Sequence, residues 1–208
     1  MELLFVTFAA LISVINPFGT LPIFIGLTKD KEAREMNEIA VRTVINVLVI
    51  MLITLYGGEY ILAFFGIGLT SLKLTGGLVI ASSGFALLSG NFSRHKGMKR
   101  KEKEDARKRS DISMTPLAIP MLSGPGSMSL LITYKEMYPS LNDQLVILGA
   151  IIVTCAITLL IMLSGRVIVR SLGASGINAL SRIIGFIVIS IGIEYIVSTI
   201  IEIIKTAQ

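Results

Sequence analysis

The chain has 208 residues, of which 53% are hydrophobic and only 16% are charged, and its mean hydropathy is +0.79. This composition excludes an ordinary water-soluble domain and is typical of a membrane protein. A single cysteine, Cys155, excludes a disulfide framework and a thiolate metal cluster. The single histidine, His95, stands in a basic stretch, so we expect neither a histidine-based zinc site nor a histidine-driven catalytic triad.

Six runs of about 20 apolar residues, the length that crosses a bilayer, follow one another along the chain. These segments are Leu3–Leu27, Val41–Phe65, Thr70–Leu88, Thr115–Met137, Gln144–Leu163 and Leu180–Ile204. Polar linkers separate them, and the last linker is the Gly/Ser-rich stretch Ser164–Ser181. The first residues carry neither a basic flank nor a cleavage motif, so we do not expect a cleaved signal peptide. The sequence therefore predicts an all-α membrane protein with six transmembrane helices.

The distribution of Lys and Arg predicts the orientation of the six helices. Nine of the 19 basic residues lie within residues 91–111, between the third and fourth segments. If both termini are outside the cell, only Lys73, Lys135 and Lys205 fall on the outer side. Because basic loops stay in the cytoplasm, we expect a multi-pass protein of the cell membrane with both termini outside and a cytoplasmic linker at 91–111. That linker has almost no aromatic residues, so it predicts contact with anionic lipid and no nucleic-acid binding.

Three segments on each side of the linker predict two inverted-topology three-helix repeats. The first repeat is residues 1–90 and the second is residues 112–208. Asn16-Pro17 in the first repeat corresponds to Gly124-Pro125 in the second, and each pair is followed closely by a glycine. A second, weaker correspondence relates the third and sixth segments, whose glycines we expect to pack these two helices closely. Those glycines are Gly76, Gly77, Gly84, Gly185 and Gly192.

Five of the six prolines form two clusters inside apolar segments. The first cluster lies at Asn16–Pro22 in the first segment, and the second lies at Thr115–Ser127 in the fourth. Proline removes a backbone donor and clashes with the preceding turn, so it breaks or kinks a helix. Matching breaks in two repeats predict discontinuous first and fourth helices that flank a transporter's binding site. The alternative is that the prolines only kink the two helices and improve their packing.

The predicted breaks have the chemistry to bind an amino acid. Half-helix N-termini present N–H groups that suit a carboxylate, and the facing C-termini present carbonyls that suit an ammonium group. Glycines let a ligand approach the main chain, and the small apolar space favours a small neutral side chain. We therefore expect substrate-binding residues at both breaks, namely Asn16, Pro17, Gly19, Thr20, Pro22, Ser123, Gly124, Pro125, Gly126 and Ser127.

Two of the carboxylates inside predicted spans are singled out, because ionisable residues are costly there and often functional. Glu194 lies near the middle of the sixth segment and is a candidate for binding the coupling ion; the alternative is a structural role beside a polar neighbour. Glu59 lies near the outer end of the second segment, where we expect it to reach the membrane interface. These carboxylates do not have the spacing of metal ligands, and the spans contain no nucleophile–base pair. We therefore expect no metal, no cofactor and no enzymatic activity.

Two signatures resemble the MarC family of integral membrane proteins. The first is Asn16-Pro17-Phe18-Gly19-x-x-Pro22-x-Phe24, and the second is Thr115-Pro116-Leu117-Ala118-Ile119-Pro120-x-x-x-Gly124-Pro125-Gly126. The resemblance covers essentially the whole chain. It implies secondary active transport of small neutral amino acids, such as glycine and alanine, driven by a proton or sodium gradient. A channel or pore for small neutral solutes is the alternative, because paired half-helices also occur in channels. A homo-oligomer in the lipid bilayer is a further expectation.

Overall fold

The structure is a computed structural model that describes residues 2–90 and 111–206. All regular secondary structure within these two ranges is helical. The helices there are α1 (Glu2–Ile15), α2 (Pro17–Leu27), α3 (Ala33–Phe65), α4 (Leu69–Leu88), α5 (Ser113–Leu122), α6 (Pro125–Met137), α7 (Leu141–Leu163) and α8 (Gly165–Thr206). Apart from Asp111, the predicted basic linker lies outside the described residues.

Within the described residues, five helical stretches are long and apolar enough to cross a membrane. They are Glu2–Leu27, which combines α1 and α2, Ala33–Phe65, Leu69–Leu88, Leu141–Leu163 and Ser175–Lys205. The remaining predicted segment, Thr115–Met137, does not form one long helix. It is divided between α5, with 10 residues, and α6, with 13 residues, and each is shorter than a spanning helix. The chain is therefore a helical multi-pass membrane protein, and the prediction that its first and fourth segments are broken is confirmed.

The Gly/Ser-rich stretch Ser164–Ser181 is mostly helical rather than an irregular linker. Helix α8 begins at Gly165 and is interrupted at Gly173, whose φ is 62°. Glycine adopts this left-handed conformation without a steric penalty. The first turn of α8 is tied to the rest of the chain because Arg166 donates a hydrogen bond to the Lys31 carbonyl at 3.1 Å. Glycine and serine have low helix propensity, but tertiary contacts override so weak a preference.

The buried apolar side chains form two separate clusters. The main cluster is built from α1, α2, α3, α5, α6 and α7. A small second cluster, made of Ile80, Leu87 and Val188, lies between α4 and α8. Helix α4 belongs to the first predicted repeat and α8 to the second, so this pair joins the two repeats. The protein therefore has two packing units, which we call the main core and the α4–α8 pair.

Glycines bring the backbones of α4 and α8 into direct contact. A Cβ atom added at Gly192 would lie 2.5 Å from the Ala81 nitrogen and 2.6 Å from the Gly77 carbonyl oxygen. Gly84 and Gly185 make an equally close pair further along the two antiparallel helices. The prediction of close packing is confirmed for these four glycines. Gly76 also packs closely, but its neighbour is Ser129 of α6.

We expect Gly192→Ala to destabilise the protein by about 1–3 kcal/mol, the usual effect of overpacking, because the new methyl group meets backbone atoms that cannot rotate away. The midpoint of thermal unfolding in detergent measures this effect. Gly149→Ala is the matched control, since its Cβ would lie at an ordinary 3.7 Å from Leu4 Cδ1. Equal midpoints for the two variants would show that the α4–α8 contact is not as tight as described.

Three hydrogen bonds lie at the end of the molecule where α4 ends and α5 begins, which we call the linker end. Asn46 of α3 donates to the Ser113 hydroxyl at 3.3 Å, an interhelical bond between α3 and α5. The Ser113 hydroxyl and backbone N–H in turn donate to the Asp111 carboxylate at 2.6 Å and 2.8 Å. These two bonds from Ser113 lower the pKa of Asp111 below its ordinary value. The network fixes the start of α5 against the first half of α3.

Candidate functional site at the two helix breaks

The first break, between α1 and α2, is centred on Asn16. Its φ of 47° and ψ of 70° are left-handed, a conformation that asparagine tolerates better than most residues. The Asn16 side-chain oxygen accepts a hydrogen bond from the Gly19 N–H at 3.1 Å and so caps α2. Pro17 follows at the first helical position, where its missing N–H costs nothing. The sequence therefore ends one helix and begins the next within a single residue.

The second break, between α5 and α6, is longer. Thr115 and Ile119 have extended backbone angles inside α5 because each residue precedes a proline. Helix α5 ends at Leu122 and is followed by Ser123. Gly124 is then extended, with ψ of 175°, and Pro125 is the first residue of α6. Among the described residues, no side chain caps the N-terminus of α6. The N–H groups in the first turn of α6 are therefore more available to a ligand than those of α2.

Each break holds one buried polar atom with no hydrogen-bond partner among the described residues. These atoms are Asn16 Nδ2 and Ser123 Oγ, and the two residues are 0% and 1% exposed. Burying a donor without a partner costs about 1–3 kcal/mol, so such atoms are rare in folded proteins. Both atoms can donate a hydrogen bond. A ligand with oxygen acceptors would satisfy them.

Two other predicted substrate-binding residues, Thr20 and Ser127, form hydrogen bonds with backbone carbonyls of the breaks. The Thr20 hydroxyl donates to the Asn16 carbonyl at 3.4 Å, and the Ser127 hydroxyl donates to the Gly124 carbonyl at 2.9 Å. Both residues are buried. Their hydroxyl hydrogens are therefore used within the first turns of α2 and α6, although the hydroxyl oxygens can still accept a hydrogen bond.

Gly126 places the second break against α1. A Cβ atom at Gly126 would lie 3.3 Å from Val14 Cγ1 and 3.1 Å from Ile80 Cγ1. Val14 is two residues before Asn16, so α6 begins beside the end of α1. Ile80 belongs to the α4–α8 pair, so this contact also lies where the two packing units meet. A side chain at this position would require Ile80 and Val14 to shift by a few tenths of an ångström, so glycine gives α6 its close approach to both.

A cavity of about 110 Å³ lies beside the first break, at the linker end. Its lining comes from α2, from the end of α4 and from α8, namely Gly19, Pro22, Ile23, Leu87, Gly90, Ile177, Asn178 and Ser181. Gly19 and Pro22 are the predicted site residues that line it; Pro22 is exposed. Sequence reasoning missed Asn178 and Ser181 because both stand in the stretch read as a linker. The sequence did hold one signal for them: residues three apart lie on the same face of a helix, as Asn178 and Ser181 do.

The structure places Glu194 on the exposed face of α8, and no hydrogen bond or ion pair within the described residues joins it to either break. Its role in ion coupling stays a prediction. Glu59 is exposed and pairs with Lys135 at 3.4 Å, and Lys73 pairs with Glu202 at 2.9 Å. Both pairs lie away from the linker end. Within residues 2–90 and 111–206, no cluster of His, Cys, Asp or Glu has the arrangement of a metal site.

Comparison with known proteins gives relatives along the whole chain. The chain is 34% identical to a UPF0056 membrane protein of Methanocaldococcus jannaschii, over 92% of each chain. It is 31% identical to the UPF0056 membrane protein YhcE of Escherichia coli, over 92% of this chain and 88% of YhcE. The inner membrane protein MarC of Salmonella typhimurium is 28% identical, over 94% of this chain and 93% of MarC.

No solved structure shows a significant match to the chain. The sequence profile of the MarC family, described as integral membrane proteins, matches residues 1–204, which include both breaks and every helix that lines the cavity. The profile covers nearly the whole chain, and the three relatives named above cover 92–94% of it. The chain therefore belongs to the MarC family of integral membrane proteins.

Proposed function

We propose that this protein is a secondary active transporter of small neutral amino acids, such as glycine and alanine, driven by a proton or sodium gradient. The observation that carries the proposal is the pair of buried donors Asn16 Nδ2 and Ser123 Oγ, one at each helix break, which have no hydrogen-bond partner among the described residues. Five further buried hydroxyls in the described ranges also lack a partner, but these two donors lie at the breaks, where half-helix ends favour the binding of a charged ligand. A carboxylate that binds between the breaks supplies the missing acceptors.

In this proposal α5 and α6 cross the membrane together as the fourth of six spans. Residues 1–90 and 112–208 are then two inverted three-helix repeats, with both termini outside the cell. The local design of the breaks supports this arrangement, because Pro17 and Pro125 each occupy the first position of a new helix. Gly19 and Gly126 follow within two residues. The two breaks then lie at the same depth, near the middle of the bilayer.

The substrate's charged groups bind to different helix ends. Its carboxylate binds at the uncapped N-terminus of α6, with Ser123 and Asn16 as side-chain donors. Its ammonium group binds to carbonyls at the C-terminal ends of α1 and α5. Val14 and Ile80 close on Gly126 and leave room for only a small side chain. The cavity of about 110 Å³ beside Gly19 and Pro22 gives a small substrate a route to the first break from the linker end.

The two packing units supply a mechanism for alternating access. The cavity lies between α2 of the main core and the α4–α8 pair, so movement of the pair relative to the core opens or closes it. At the opposite end, the Lys73–Glu202 pair joins α4 to α8 and the Lys135–Glu59 pair joins α6 to α3. Each of these ion pairs joins helices of one packing unit, so they hold the units together internally. The contact that closes the outer side between the two units is the hydrogen bond from the Ser129 hydroxyl of α6 to the Leu72 carbonyl of α4, at 3.2 Å. In this proposal the structure is therefore the state with the site accessible from the cytoplasm.

Uptake into proteoliposomes tests the proposal. The purified protein is reconstituted, and uptake of radiolabelled glycine is measured under an imposed pH gradient and, separately, under a sodium gradient. We expect saturable uptake that one of the gradients drives and that unlabelled alanine suppresses. Empty liposomes and liposomes without a gradient are the controls. Solute flux that rises linearly with concentration and ignores both gradients would replace the carrier with a channel, and no flux of any small neutral amino acid would reject the proposal.

A further inference from the structure

A polar stripe runs along the exposed face of α8. Ser190, Glu194 and Ser198 follow one another at intervals of four residues, so their side chains lie on the same face of the helix. All three residues are exposed. The opposite face of α8 carries Gly185 and Gly192, which pack against α4. The stripe therefore points away from the rest of the chain.

The stripe lies at the depth of the hydrocarbon. Arg182 and Glu202 are the charged residues on either side of Glu194 along α8. At 1.5 Å per residue they stand about 30 Å apart, which equals the thickness of a bilayer's hydrocarbon core. Glu194 is about 12 Å from the level of Glu202 and about 18 Å from that of Arg182. A glutamate side chain is too short to reach the headgroups from there, and a carboxyl group facing lipid at this depth is costly.

No element among the described residues covers this face of α8. Within these residues Glu194 makes no hydrogen bond or ion pair, while the hydroxyls of Ser190 and Ser198 donate only to carbonyls of their own helix. The most apolar window of Ser175–Lys205 is 22% buried, whereas the corresponding windows of the other four candidate spans are 44–56% buried. Within residues 2–90 and 111–206, α8 is therefore the apolar helix with the least covered surface.

We propose that a second copy of this chain covers the stripe and forms a dimer with its two-fold axis along the bilayer normal. Such an axis brings identical residues to the same depth, so the two polar stripes meet without any further adjustment. Each Glu194 carboxyl group then lies at the depth of Glu194 in the other copy. The serine hydroxyls of that copy lie one turn above and below, about 6 Å along the helix, and turn from their own helix to donate across the interface. Exposed apolar neighbours, Ile187, Val197 and Ile201, pack around these polar contacts.

Cysteine cross-linking in membranes tests the dimer without reference to transport. The buried native thiol is first removed with Cys155→Ala. Ser198→Cys then places a thiol on the stripe, and Leu160→Cys places the control thiol on the exposed surface of α7. After oxidation we expect a band of twice the monomer mass for Ser198→Cys and at least tenfold less of it for Leu160→Cys. The yield of cross-linked Ser198→Cys protein should stay the same when the lipid-to-protein ratio is raised tenfold.

Three results would overturn the proposal. One is the absence of the cross-linked band, another is equal cross-linking at Leu160→Cys, and the third is a yield that falls in proportion to dilution. Adding Glu194→Leu to the Ser198→Cys variant separates the carboxyl group from the rest of the interface. We expect it to lower the cross-linking yield at the higher dilution by at least threefold. An unchanged yield would refute the role given to Glu194, and Ser190→Ala in the same background tests the hydroxyl contribution in the same way.

Discussion

Ser123→Ala is expected to raise the KM for glycine uptake by about tenfold to a hundredfold while leaving the protein's stability unchanged or slightly higher. The proposed hydrogen bond joins the Ser123 hydroxyl to a carboxylate, and bonds to charged groups contribute about 1.5–3 kcal/mol. Stability should not fall, because the hydroxyl is buried and has no partner among the described residues that its removal would leave unpaired. Uptake in proteoliposomes and thermal unfolding in detergent measure the two effects.

Thr158→Val is the matched control for this substitution. Thr158 is also 1% exposed and its hydroxyl also lacks a partner among the described residues, but it lies in α7 and belongs to neither break. We expect a wild-type KM for this variant. Equal KM values for Ser123→Ala and Thr158→Val would mean that the orphaned donor at the second break does not bind the substrate.

Gly126→Val is expected to abolish uptake while the protein still inserts and remains helical. Its Cβ alone would lie 3.1 Å from Ile80 Cγ1 and 3.3 Å from Val14 Cγ1, which is closer than ordinary van der Waals contact, and valine adds two methyl groups to that Cβ. Overpacking of this kind costs about 1–3 kcal/mol, so we also expect a lower unfolding midpoint. Uptake, membrane insertion and circular dichroism of the same preparation measure these effects.

The double variant Gly126→Val/Ile80→Ala distinguishes a loss of space at the second break from a general destabilisation of the protein. Shortening Ile80 removes the nearer of the two contacts, so we expect part of the uptake to return, with non-additive effects of the two substitutions. A Gly126→Val protein that transports glycine with the wild-type KM would show that the second break is not at the substrate site.

Local chemistry made the two breaks predictable from the sequence. Proline cannot continue a helix, and the residue before a proline avoids the helical region. The end of α1 therefore follows from Pro17, the extended residues inside α5 follow from Pro116 and Pro120, and the break before α6 follows from Pro125. These rules act over one or two turns and do not depend on the remaining fold. They also identified Asn16 and Ser123 as polar residues at the breaks, although no local rule shows that their donors lack partners.

Other features depend on contacts between residues far apart in the sequence. Asn178 and Ser181 line the cavity only because α8 lies beside α2 and the end of α4. Asn178 and Ser181 stand in a Gly/Ser-rich stretch whose low helix propensity predicts a linker. Tertiary packing nevertheless extends α8 through that stretch, and so brings both residues to the cavity. The exposure of Glu194 is likewise a property of the packed molecule, since any face of an apolar helix can be turned toward its neighbour.

The membrane class, the positions of the apolar segments and the two breaks follow from the amino-acid sequence without the fold. Composition sets how a chain partitions between water and lipid, and proline and glycine restrict the local backbone. Three other features are visible only in the folded protein. They are the pairing of α4 with α8, the contact of Gly126 with Val14 and Ile80, and the position of the cavity between the two packing units. Apolar helices have nearly equivalent faces, so the choice of neighbour depends on how closely glycine-lined backbones approach, which becomes defined only in the folded protein.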